Sequence, residues 1–390
     1  MTPAARVASA IQILDEILAG EPAEKQLTTW ARQNRYAGSK DRAAVRDLVF
    51  EVLRSKQSLA ISGGAETGRG MLLGLLRMRG DDPDDTFTGE GYAPAPLTDQ
   101  EKGAGRAPTE AESLDAPEWL IPQLQESLGA DFESVFNLLK SRAPVFLRVN
   151  LQAGTREQAI ESLASEEIVA EPHELAETAL IVTKNPRRVQ NSQTFASGLV
   201  ELQDAASQFV AEQIPVAKGN SILDYCAGGG GKSLALAARM PKDELTIFAH
   251  DISQNRMRDI PTRAERAGVN INLLETSEIA DAAPFEVVVC DVPCSGSGAW
   301  RRAPEGKWTL TTERLTELTR IQREVLEKTK GYVSENGVLA YLTCSLLRQE
   351  NQDQIDAFLA ANSDWKCTMS KSLTPLDGGD GFFVSLLTRS

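Results

Sequence analysis

Two cysteines stand at the predicted ends of two strands. Cys294 lies in DVPCSGSG and Cys344 lies in TCS, fifty positions later. Reactive groups of an open parallel sheet gather at the carboxyl ends of its strands, so we expect both thiols in one crevice. No CxxC pair occurs, and His173 and His250 lack the spacing of metal ligands, so the residues predict no metal site. The remaining chemical use of these cysteines is as thiolate nucleophiles.

Addition of a thiolate to C6 of a pyrimidine is one reaction that such a pair can serve. The addition makes C5, otherwise a poor nucleophile, able to attack an electrophilic methyl group. The C5 proton must then leave and the thiol must be eliminated, so an acid near the base and a second proton-handling group are needed. Asp291, Cys294 and Cys344 can supply these groups. The residues alone do not decide which cysteine attacks.

A glycine-rich loop, CAGGGGK at 226–232, joins a predicted strand to a predicted helix. Backbone without Cβ atoms lets a ligand approach closely. The loop is not a phosphate-binding P-loop, because position 226 is Cys instead of Gly, and it also lacks the GxGxxG pattern. Asp251 ends the next predicted strand, where an acid typically binds the ribose hydroxyls of a cofactor. Loop and acid together predict an adenosine-containing cofactor.

Apolar strand-like runs alternate with helical stretches from about residue 220 onward. The runs are SILDYCA, LTIFAHD, INLLET, FEVVVCDV and GVLAYLTCS, and helices are predicted at 232–240, 253–267 and 310–330. This alternation is typical of an α/β fold with a doubly wound parallel sheet. A helix near 351–362 and the strands WKCTMS and FFVSLLTRS follow. The last two strands predict an antiparallel hairpin that closes the sheet.

The first half of the chain has a different pattern. Residues 1–80 predict packed helices, with Asp41 as the N-cap of one of them. Residues 79–117 are rich in Pro, Gly and acids, which indicates a long linker or surface excursion. APVFLRVN at 143–150 predicts a strand, and 155–189 alternates helical and strand-like pieces. We therefore expect a small α/β module between the helices and the sheet.

Length, charge and cysteine content limit the class of protein. A chain of 390 residues is expected to form two or three domains. Its net charge of −14 argues against a broad nucleic-acid-binding surface but leaves a local basic groove open. Five cysteines without a signal peptide predict a reducing, cytoplasmic location, and no apolar run is long enough to span a membrane.

The motifs resemble those of the RsmB/NOP/Sun family of RNA (cytosine-5) methyltransferases. They are CAGGGGK (226–232), DVPCSGSG (291–298), RRAPEGKW (301–308) and TCS (343–345), with FASGLVELQDAAS (195–207) and DGFFVSLL (380–387). The resemblance implies a Rossmann-like methyltransferase domain at 206–390 and a small RNA-recognition-like module at 119–205. It also implies an all-helical NusB-like domain at 1–118, whose acidic linker begins at about 79.

The same resemblance implies roles for individual residues. Cys344 would attack C6, Cys294 would assist elimination and product release, and Asp291 and Lys232 would complete the catalytic group. S-adenosylmethionine would be the methyl donor, held by Cys226, Ala227, Gly228, Gly229, Gly230, Gly231, Lys232, Asp251 and Asp291. RNA would be held by Arg148, Asn150, Arg301, Arg302, Lys307 and Trp308. Ser277 departs from the pattern, since relatives place an Asp near the adenine there.

The resulting prediction is methylation of C5 in an unpaired cytosine of RNA, since the enzyme must take the base out of its stack. Small-subunit (16S) ribosomal RNA is the expected substrate, and a monomer is expected. Transfer RNA is the alternative substrate. A non-catalytic RNA-binding factor for ribosome assembly is an alternative of another class, against which the intact cysteines argue. A dehydrogenase is disfavoured by the missing GxGxxG pattern.

Overall fold

Helices make up the first part of the computed structural model, which describes residues 1–242 and 244–390. In these residues the helices before the first strand are α1 Pro3–Leu18, α2 Ala23–Gln33, α3 Ser39–Arg54, α4 Lys56–Gly63, α5 Gly68–Arg79, α6 Asp99–Gly103, α7 Ile121–Leu128 and α8 Phe132–Leu139. Apolar side chains at helical spacing pack α1–α5 around one core that includes Leu14, Trp30, Val49 and Leu72. The predicted helical N-terminal region is therefore present.

The predicted N-cap at Asp41 is wrong. Helix α3 begins at Ser39 with Gly38 as its N-cap. Asp41 lies in the first turn, where its carboxylate binds the N-terminal ammonium group at 3.2 Å and Arg6 at 2.8 Å. The acid therefore ties the start of α1 to α3 instead of capping α3.

Residues 79–117 form a surface excursion that is fastened to α5. Thr98 and Glu101 form a capping box at the start of α6. The Glu101 side chain pairs with Arg69, and Arg77 donates hydrogen bonds to the carbonyls of Glu101 and Ala104. Charged side chains of α5 thus fix a segment whose own composition predicts little structure.

A four-stranded antiparallel sheet follows the helices. Its strands are β1 Val145–Val149, β2 Val169–Pro172, β3 Ala179–Lys184 and β4 Val200–Leu202, in the order β2-β3-β1-β4. Two helices lie between these strands in the chain, α9 Arg156–Ser165 and α10 Gln193–Ala196. Leu147, Leu163 and Leu180 are buried in its core. This region corresponds to the small α/β module expected from the sequence.

A seven-stranded mixed sheet forms the rest of the fold. Its strands are β5 Ser221–Asp224, β6 Thr246–Ala249, β7 Asn272–Leu273, β8 Phe285–Asp291, β9 Val333–Thr343, β10 Trp365–Leu373 and β11 Phe382–Arg389, in the order β10-β11-β9-β8-β5-β6-β7. Strands β5–β9 pair in parallel, whereas β11 pairs antiparallel with both β9 and β10. The predicted doubly wound sheet with a closing antiparallel hairpin is confirmed.

Helices cover both faces of this sheet, and its strands alternate between two cores. The helices of the sheet unit are α11 Ala205–Gln213, α12 Gly231–Ala237, α13 Ile260–Ala267, α14 Ile279–Ala282, α16 Thr312–Thr329 and α17 Gln352–Ala361. Helix α15, Glu305–Thr309, comes between α14 and α16 in the chain. On β5, Ile222 packs into one core and Leu223 into the other. Because both faces are filled, the open place for a ligand is the edge at the carboxyl ends of the strands. The chain order reverses between β5 and β8, which creates a crevice at that edge.

Contacts divide the chain into two units. The helical unit comprises 1–125, 130–142 and 300–309, and the sheet unit comprises 126–129, 143–299 and 310–390. The RRAPEGKW motif therefore belongs to the helical unit, although it follows β8 in the chain. Among the residues that the structure describes, no helix combines the length and apolar character needed to cross a membrane.

Replacing Gly298 with Ala should destabilise the sheet unit. A Cβ at Gly298 would lie 2.0 Å from the carbonyl oxygen of Gly381, and Gly298 O accepts the Gly381 N–H at 3.0 Å. The two backbones must separate, which should lower the free energy of unfolding by about 2 kcal/mol or more. Denaturant unfolding followed by circular dichroism measures the change. Gly331→Ala is the control, because its Cβ would meet nothing within 4 Å; equal stability of the two variants would contradict the prediction.

Candidate active site

The two motif cysteines lie side by side at the edge of the sheet. Cys294 follows β8 and Cys344 follows β9, and their Sγ atoms are 3.4 Å apart. Both side chains are half-buried. The hydrogen bond to Cys344 and burial raise the pKa of the Cys294 thiol well above its ordinary value. Either sulfur can donate the hydrogen bond that joins the two side chains.

A buried carboxyl group, that of Glu350, holds the residues that follow both cysteines. Glu350 Oε1 accepts the Ser295 N–H at 2.8 Å, and its Oε2 accepts the Ser345 hydroxyl at 2.5 Å. The Ser295 hydroxyl also donates to Oε2. Gln322 of α16 donates to Oε1 at 3.0 Å and, from the same amide, to the carbonyl of Pro293 at 3.0 Å. One side chain thus fixes the distance between the two cysteine loops.

The backbone around Glu350 is held as firmly as its side chain. The Tyr341 hydroxyl donates to the Glu350 carbonyl at 2.6 Å. Asn351 accepts from Thr343 Oγ1 at 2.5 Å and donates to the carbonyl of Ser345 at 2.9 Å. The sequence analysis did not single out Glu350 or Asn351. The sequence feature that could have indicated these two residues is the Glu-Asn pair that begins six positions after Cys344 and directly precedes α17.

Lys232 joins the glycine loop to the acid that ends β8. Its Nζ lies 3.1 Å from Asp291 Oδ2 and 2.8 Å from Ser207 Oγ. It also lies 4.7 Å from the centre of the Phe382 ring. Lys232 is almost fully buried, whereas 30% of the Asp291 side chain is exposed. The pair therefore presents a donor and an acceptor side by side, three residues before Cys294.

The glycine loop has a backbone that only glycine adopts easily. Gly228 has φ +51° and Gly230 has φ +81°. A Cβ at Gly230 would lie 2.9 Å from Ile260. Asp251 Oδ2 accepts the Gly228 N–H at 3.0 Å and pairs with Arg256 at 2.9 Å. The structure thus brings the predicted loop and the predicted acid into direct contact.

A second buried acid, Asp224, holds the start of the helix that follows the glycine loop. Asp224 ends β5 and is fully buried. Its Oδ2 accepts the N–H and the hydroxyl of Ser233 at 3.0 and 2.6 Å, while Oδ1 accepts no hydrogen bond from the described residues. Burial raises the pKa of Asp224 to about 7. The sequence analysis missed this residue, which fixes the first turn of α12 against β5.

The structure does not support two of the expected RNA contacts, Arg148 and Asn150. Both side chains are buried. Arg148 donates to the carbonyl of Leu234, and Asn150 donates to the carbonyls of Gly198 and Ala267. These polar groups satisfy backbone carbonyls inside the sheet unit, so they are not exposed to a strand of RNA.

The basic and aromatic side chains of RRAPEGKW are also buried or half-buried, here within the helical unit. Arg301 donates to the carbonyl of Arg142, Lys307 to that of Arg54, and the Trp308 indole to that of Leu53. Burial lowers the pKa of Lys307 to about 8. Arg302 is half-buried. The structure gives Arg301, Lys307 and Trp308 packing contacts instead of an exposed basic surface.

The other cysteines and the departure at Ser277 lie as follows. Cys290 is buried in β8, donates to Thr329 at 3.3 Å, and burial raises its pKa to about 12. Burial also raises the pKa of Cys226 well above its ordinary value.

Ser277 is exposed after β7. In residues 1–242 and 244–390 no group of three His, Cys, Asp or Glu side chains is arranged to hold a metal ion.

Comparison with known families gives two matches, which cover different parts of the chain. Residues 213–387 match the family described as 16S rRNA methyltransferase RsmB/F, and residues 116–190 match its ferredoxin-like domain. Similar curated proteins are named ribosomal RNA small subunit methyltransferase B. The one from Photorhabdus laumondii is 30% identical over 286 residues and the one from Yersinia pestis is 31% identical over 291. Each match covers 70% of this chain and 66%, just under two thirds, of the relative.

Solved structures share the fold at low identity. The protein PH0851 superposes with a TM-score of 0.80 at 22% identity, over 100% of this chain and 99% of that one. A methyltransferase homologue from Pyrococcus horikoshii gives 0.63 at 22% identity, over 71% and 96% of the two chains. The expected Rossmann-like fold is confirmed, as is S-adenosylmethionine as the cofactor.

Removal of the Glu350 side chain should separate the two thiols. Glu350→Ala removes the acceptor of hydrogen bonds from Ser295, Ser345 and Gln322, and each buried donor that is left unsatisfied costs about 1–3 kcal/mol. We expect a lower free energy of unfolding and at least tenfold slower cross-linking of Cys294 to Cys344 by dibromobimane, a reagent that fluoresces after bridging two nearby thiols. Peptide mapping identifies the bridged pair.

Two variants serve as controls for Glu350. Glu350→Gln retains an acceptor oxygen and the shape of the side chain, so it should restore most of the cross-linking. Asp353→Ala removes a nearby acid whose side chain is 44% exposed, and should behave as the wild type. If Glu350→Ala cross-linked as fast as the wild type, Glu350 would not set the distance between the thiols.

Proposed function

The chain belongs to the RsmB/F family of methyltransferases, and on that premise we propose that it methylates C5 of an unpaired cytosine in RNA through a covalent bond between Cys344 and C6. The observation that carries the proposal is the pair of thiols, whose Sγ atoms lie 3.4 Å apart at the ends of β8 and β9. A protein that only binds RNA has no use for such a pair in a crevice beside a cofactor loop.

Cys344 is assigned as the nucleophile in this proposal because it lies in the TCS motif, whose cysteine attacks the base in the family that this chain resembles. Cys344 reacts as a thiolate, whose proton has passed to solvent, and one electron pair of its Sγ is then available; the Cys294 thiol, whose pKa is raised, can donate a hydrogen bond to it. That pair forms the S–C6 bond, and the electrons of the C5–C6 double bond move to C5. S-adenosylmethionine, when bound, supplies the electrophilic methyl group that C5 attacks.

Cys294 serves the second half of the reaction. The C5 proton must leave, its electron pair re-forms the C5–C6 double bond, and the S–C6 bond breaks with its electrons on Cys344 Sγ. The Cys294 thiol lies within hydrogen-bond distance of that sulfur and can protonate it as it departs. Cys294 then regains a proton in place of the one lost from C5, and Cys344 loses its proton to solvent before the next reaction, so the enzyme ends as it began.

Lys232 and Asp291 are assigned to the cytosine base. The base presents an acceptor at O2 and at N3 and a donor at its N4 amino group. The Lys232 ammonium group can donate to an acceptor of that edge, and Asp291 can accept from N4. Their 3.1 Å contact keeps both groups together near Cys294. This pairing orients the base so that C6 faces Cys344.

The residues of the glycine loop fit the nucleoside part of the donor. Gly228 and Gly230 hold a turn that side chains would obstruct, since a Cβ would lie 3.0 Å from Arg256 at the first and 2.9 Å from Ile260 at the second. Asp251 Oδ1 holds the Ser253 N–H and retains a lone pair for a ribose hydroxyl. The Arg256 side chain, which is 58% exposed, would move aside as the ribose reached the carboxylate.

We further propose small-subunit ribosomal RNA as the substrate and the cytoplasm as the location. The described family and the curated relatives act, by their names, on 16S or small-subunit ribosomal RNA. The free cysteines suit a compartment that keeps thiols reduced. The net charge of −14 means that RNA must be held by a local surface, not by the protein as a whole.

A covalent trap tests the reaction. Small-subunit ribosomal RNA that contains 5-fluorocytosine should form an adduct with the protein and S-adenosylmethionine, because fluorine at C5 cannot leave as a proton does. The adduct should persist on a denaturing gel and map by mass spectrometry to Cys344. Cys344→Ala should abolish it, and sequencing of the bound RNA should name the cytosine.

Cys294→Ala separates the roles of the two thiols. This variant should still form the S–C6 bond on ordinary RNA but should release the product slowly, so adducts should accumulate without fluorine. An adduct that maps to Cys294 in the wild type would reverse the assignment. Absence of any adduct with this RNA, while transfer RNA yields one, would contradict the proposed substrate.

Asp251→Asn tests the cofactor site without requiring activity. Loss of a charged acceptor should weaken S-adenosylmethionine binding by about tenfold to a hundredfold, since such a hydrogen bond contributes about 1.5–3 kcal/mol. Isothermal titration calorimetry measures the affinity. Asp364→Asn, whose side chain is 67% exposed, makes the same chemical change beside β10, at the opposite edge of the sheet from the loop. Equal affinity of the two variants for S-adenosylmethionine would show that Asp251 does not bind the cofactor.

A further inference from the structure

A groove of 710 Å³ lies in the helical unit between α2 and α3. Its apolar floor is formed by Leu27, Trp30 and Ala31, and Trp30 is only 7% exposed. Its rim carries four arginines, which are all exposed: Arg32, Arg35, Arg42 and Arg46. We call these seven residues the α2–α3 groove. None of them has a part in the reaction described above.

The groove carries a charge opposite to that of the chain. Residues 25–46 contain six lysines and arginines and one acid, Asp41, whereas the whole chain has a net charge of −14. Asp41 is itself neutralised by the N-terminal ammonium group and Arg6. A concentrated positive patch on an acidic protein attracts a polyanion to one place and leaves the rest of the surface repulsive to it.

Three of these arginines are available for a ligand. Most exposed arginines in the described part of the chain pair with an acid, and Arg46 pairs with Glu24. Arg32, Arg35 and Arg42 make no side-chain hydrogen bond or ion pair with any described residue. Keeping three guanidinium groups close together without counter-charges costs repulsion, which a bound anion would relieve.

An exposed aromatic ring stands beside them. Tyr36 is 71% exposed, follows Arg35, and is positioned by a 2.9 Å hydrogen bond from its hydroxyl to Asn34. Exposed tyrosine next to unpaired arginines is the combination that holds single-stranded nucleic acid, through base stacking and phosphate contacts. The other basic residues expected to hold RNA, such as Arg148 and Lys307, are buried on backbone carbonyls.

We propose that the α2–α3 groove binds a single-stranded segment of the substrate RNA, with Arg32, Arg35 and Arg42 on its phosphates and Tyr36 against a base. This proposal rests on the proposed function only for the identity of the RNA. The planar guanidinium group binds two phosphate oxygens at once. The exposed Tyr36 ring adds a surface on which a base can stack, and a chain of carboxylates has no base to place there. The groove thereby increases affinity for RNA and takes no part in the chemistry.

The test is a triple variant of the full-length chain, Arg32→Gln/Arg35→Gln/Arg42→Gln. Each lost phosphate contact on a single strand reduces the slope of log affinity against log salt by about 0.7, so three contacts should reduce it by about 2. At moderate salt we expect RNA affinity to fall at least tenfold. Filter binding of labelled small-subunit ribosomal RNA fragments over a range of salt concentrations measures both quantities.

A second triple variant controls for net charge. Arg323→Gln/Lys366→Gln/Lys371→Gln removes three exposed cations from the sheet unit. It should change affinity by less than twofold. In the groove variant, S-adenosylmethionine affinity and the rate of the Cys344 adduct at saturating RNA should match the wild type, while the RNA concentration for half-maximal rate should rise. Tyr36→Ala should weaken binding without changing the salt slope.

The outcomes separate this proposal from the proposed function. Unchanged affinity and salt slope in the groove variant, with a normal wild-type adduct, would overturn the groove and leave the reaction intact. Loss of RNA affinity in the groove variant, with no adduct in the wild type on any RNA, would support the groove and overturn the reaction. Competition by poly-glutamate as strong as that by RNA of equal charge would show an acidic peptide site and overturn the RNA assignment.

Discussion

The active-site geometry depends on one buried carboxyl group. Glu350 accepts hydrogen bonds from the residues that follow both cysteines, and Gln322 connects it to the carbonyl before Cys294. The two loops leave adjacent parallel strands, which lie about 4.8 Å apart. Strand pairing therefore brings the loops near each other, but it cannot hold two sulfur atoms at 3.4 Å. A buried polar network supplies that precision, because each bond in it is costly to break in a buried site.

The layout of the sheet could be predicted from the sequence, because buried strands leave a strong apolar signal. The runs around Leu223, Val288 and Leu339 are apolar on both faces, as strands covered by helices require. Their carboxyl ends had to share an edge, so the meeting of Cys294 and Cys344 also followed. The Gly228–Asp251 contact followed from the same rule. Asp41 was misplaced because an acid in the first turn and an acid at the N-cap differ by only a few residues in sequence.

Burial of polar residues could not be predicted in the same way. Arg148, Asn150 and Lys307 have the side chains that RNA-binding residues need, yet each donates to a backbone carbonyl in the interior. Sequence gives the donor but not the acceptor, which here comes from segments as far as 253 positions away. Glu350 was missed for the converse reason. An acid after a strand is usually exposed, and only the three-dimensional arrangement shows two serine hydroxyls directed at it.

The distribution of charge follows from this use of basic residues. Arginines inside the fold carry structural contacts, and most surface arginines pair with the excess of acids. A chain with 55 acidic and 41 basic residues thus has few cations left for a polyanion. Those that remain are effective only if they are close together, since charges on the surface are screened beyond about 8–10 Å. Clustering at Arg32, Arg35 and Arg42, which line one groove, meets that condition.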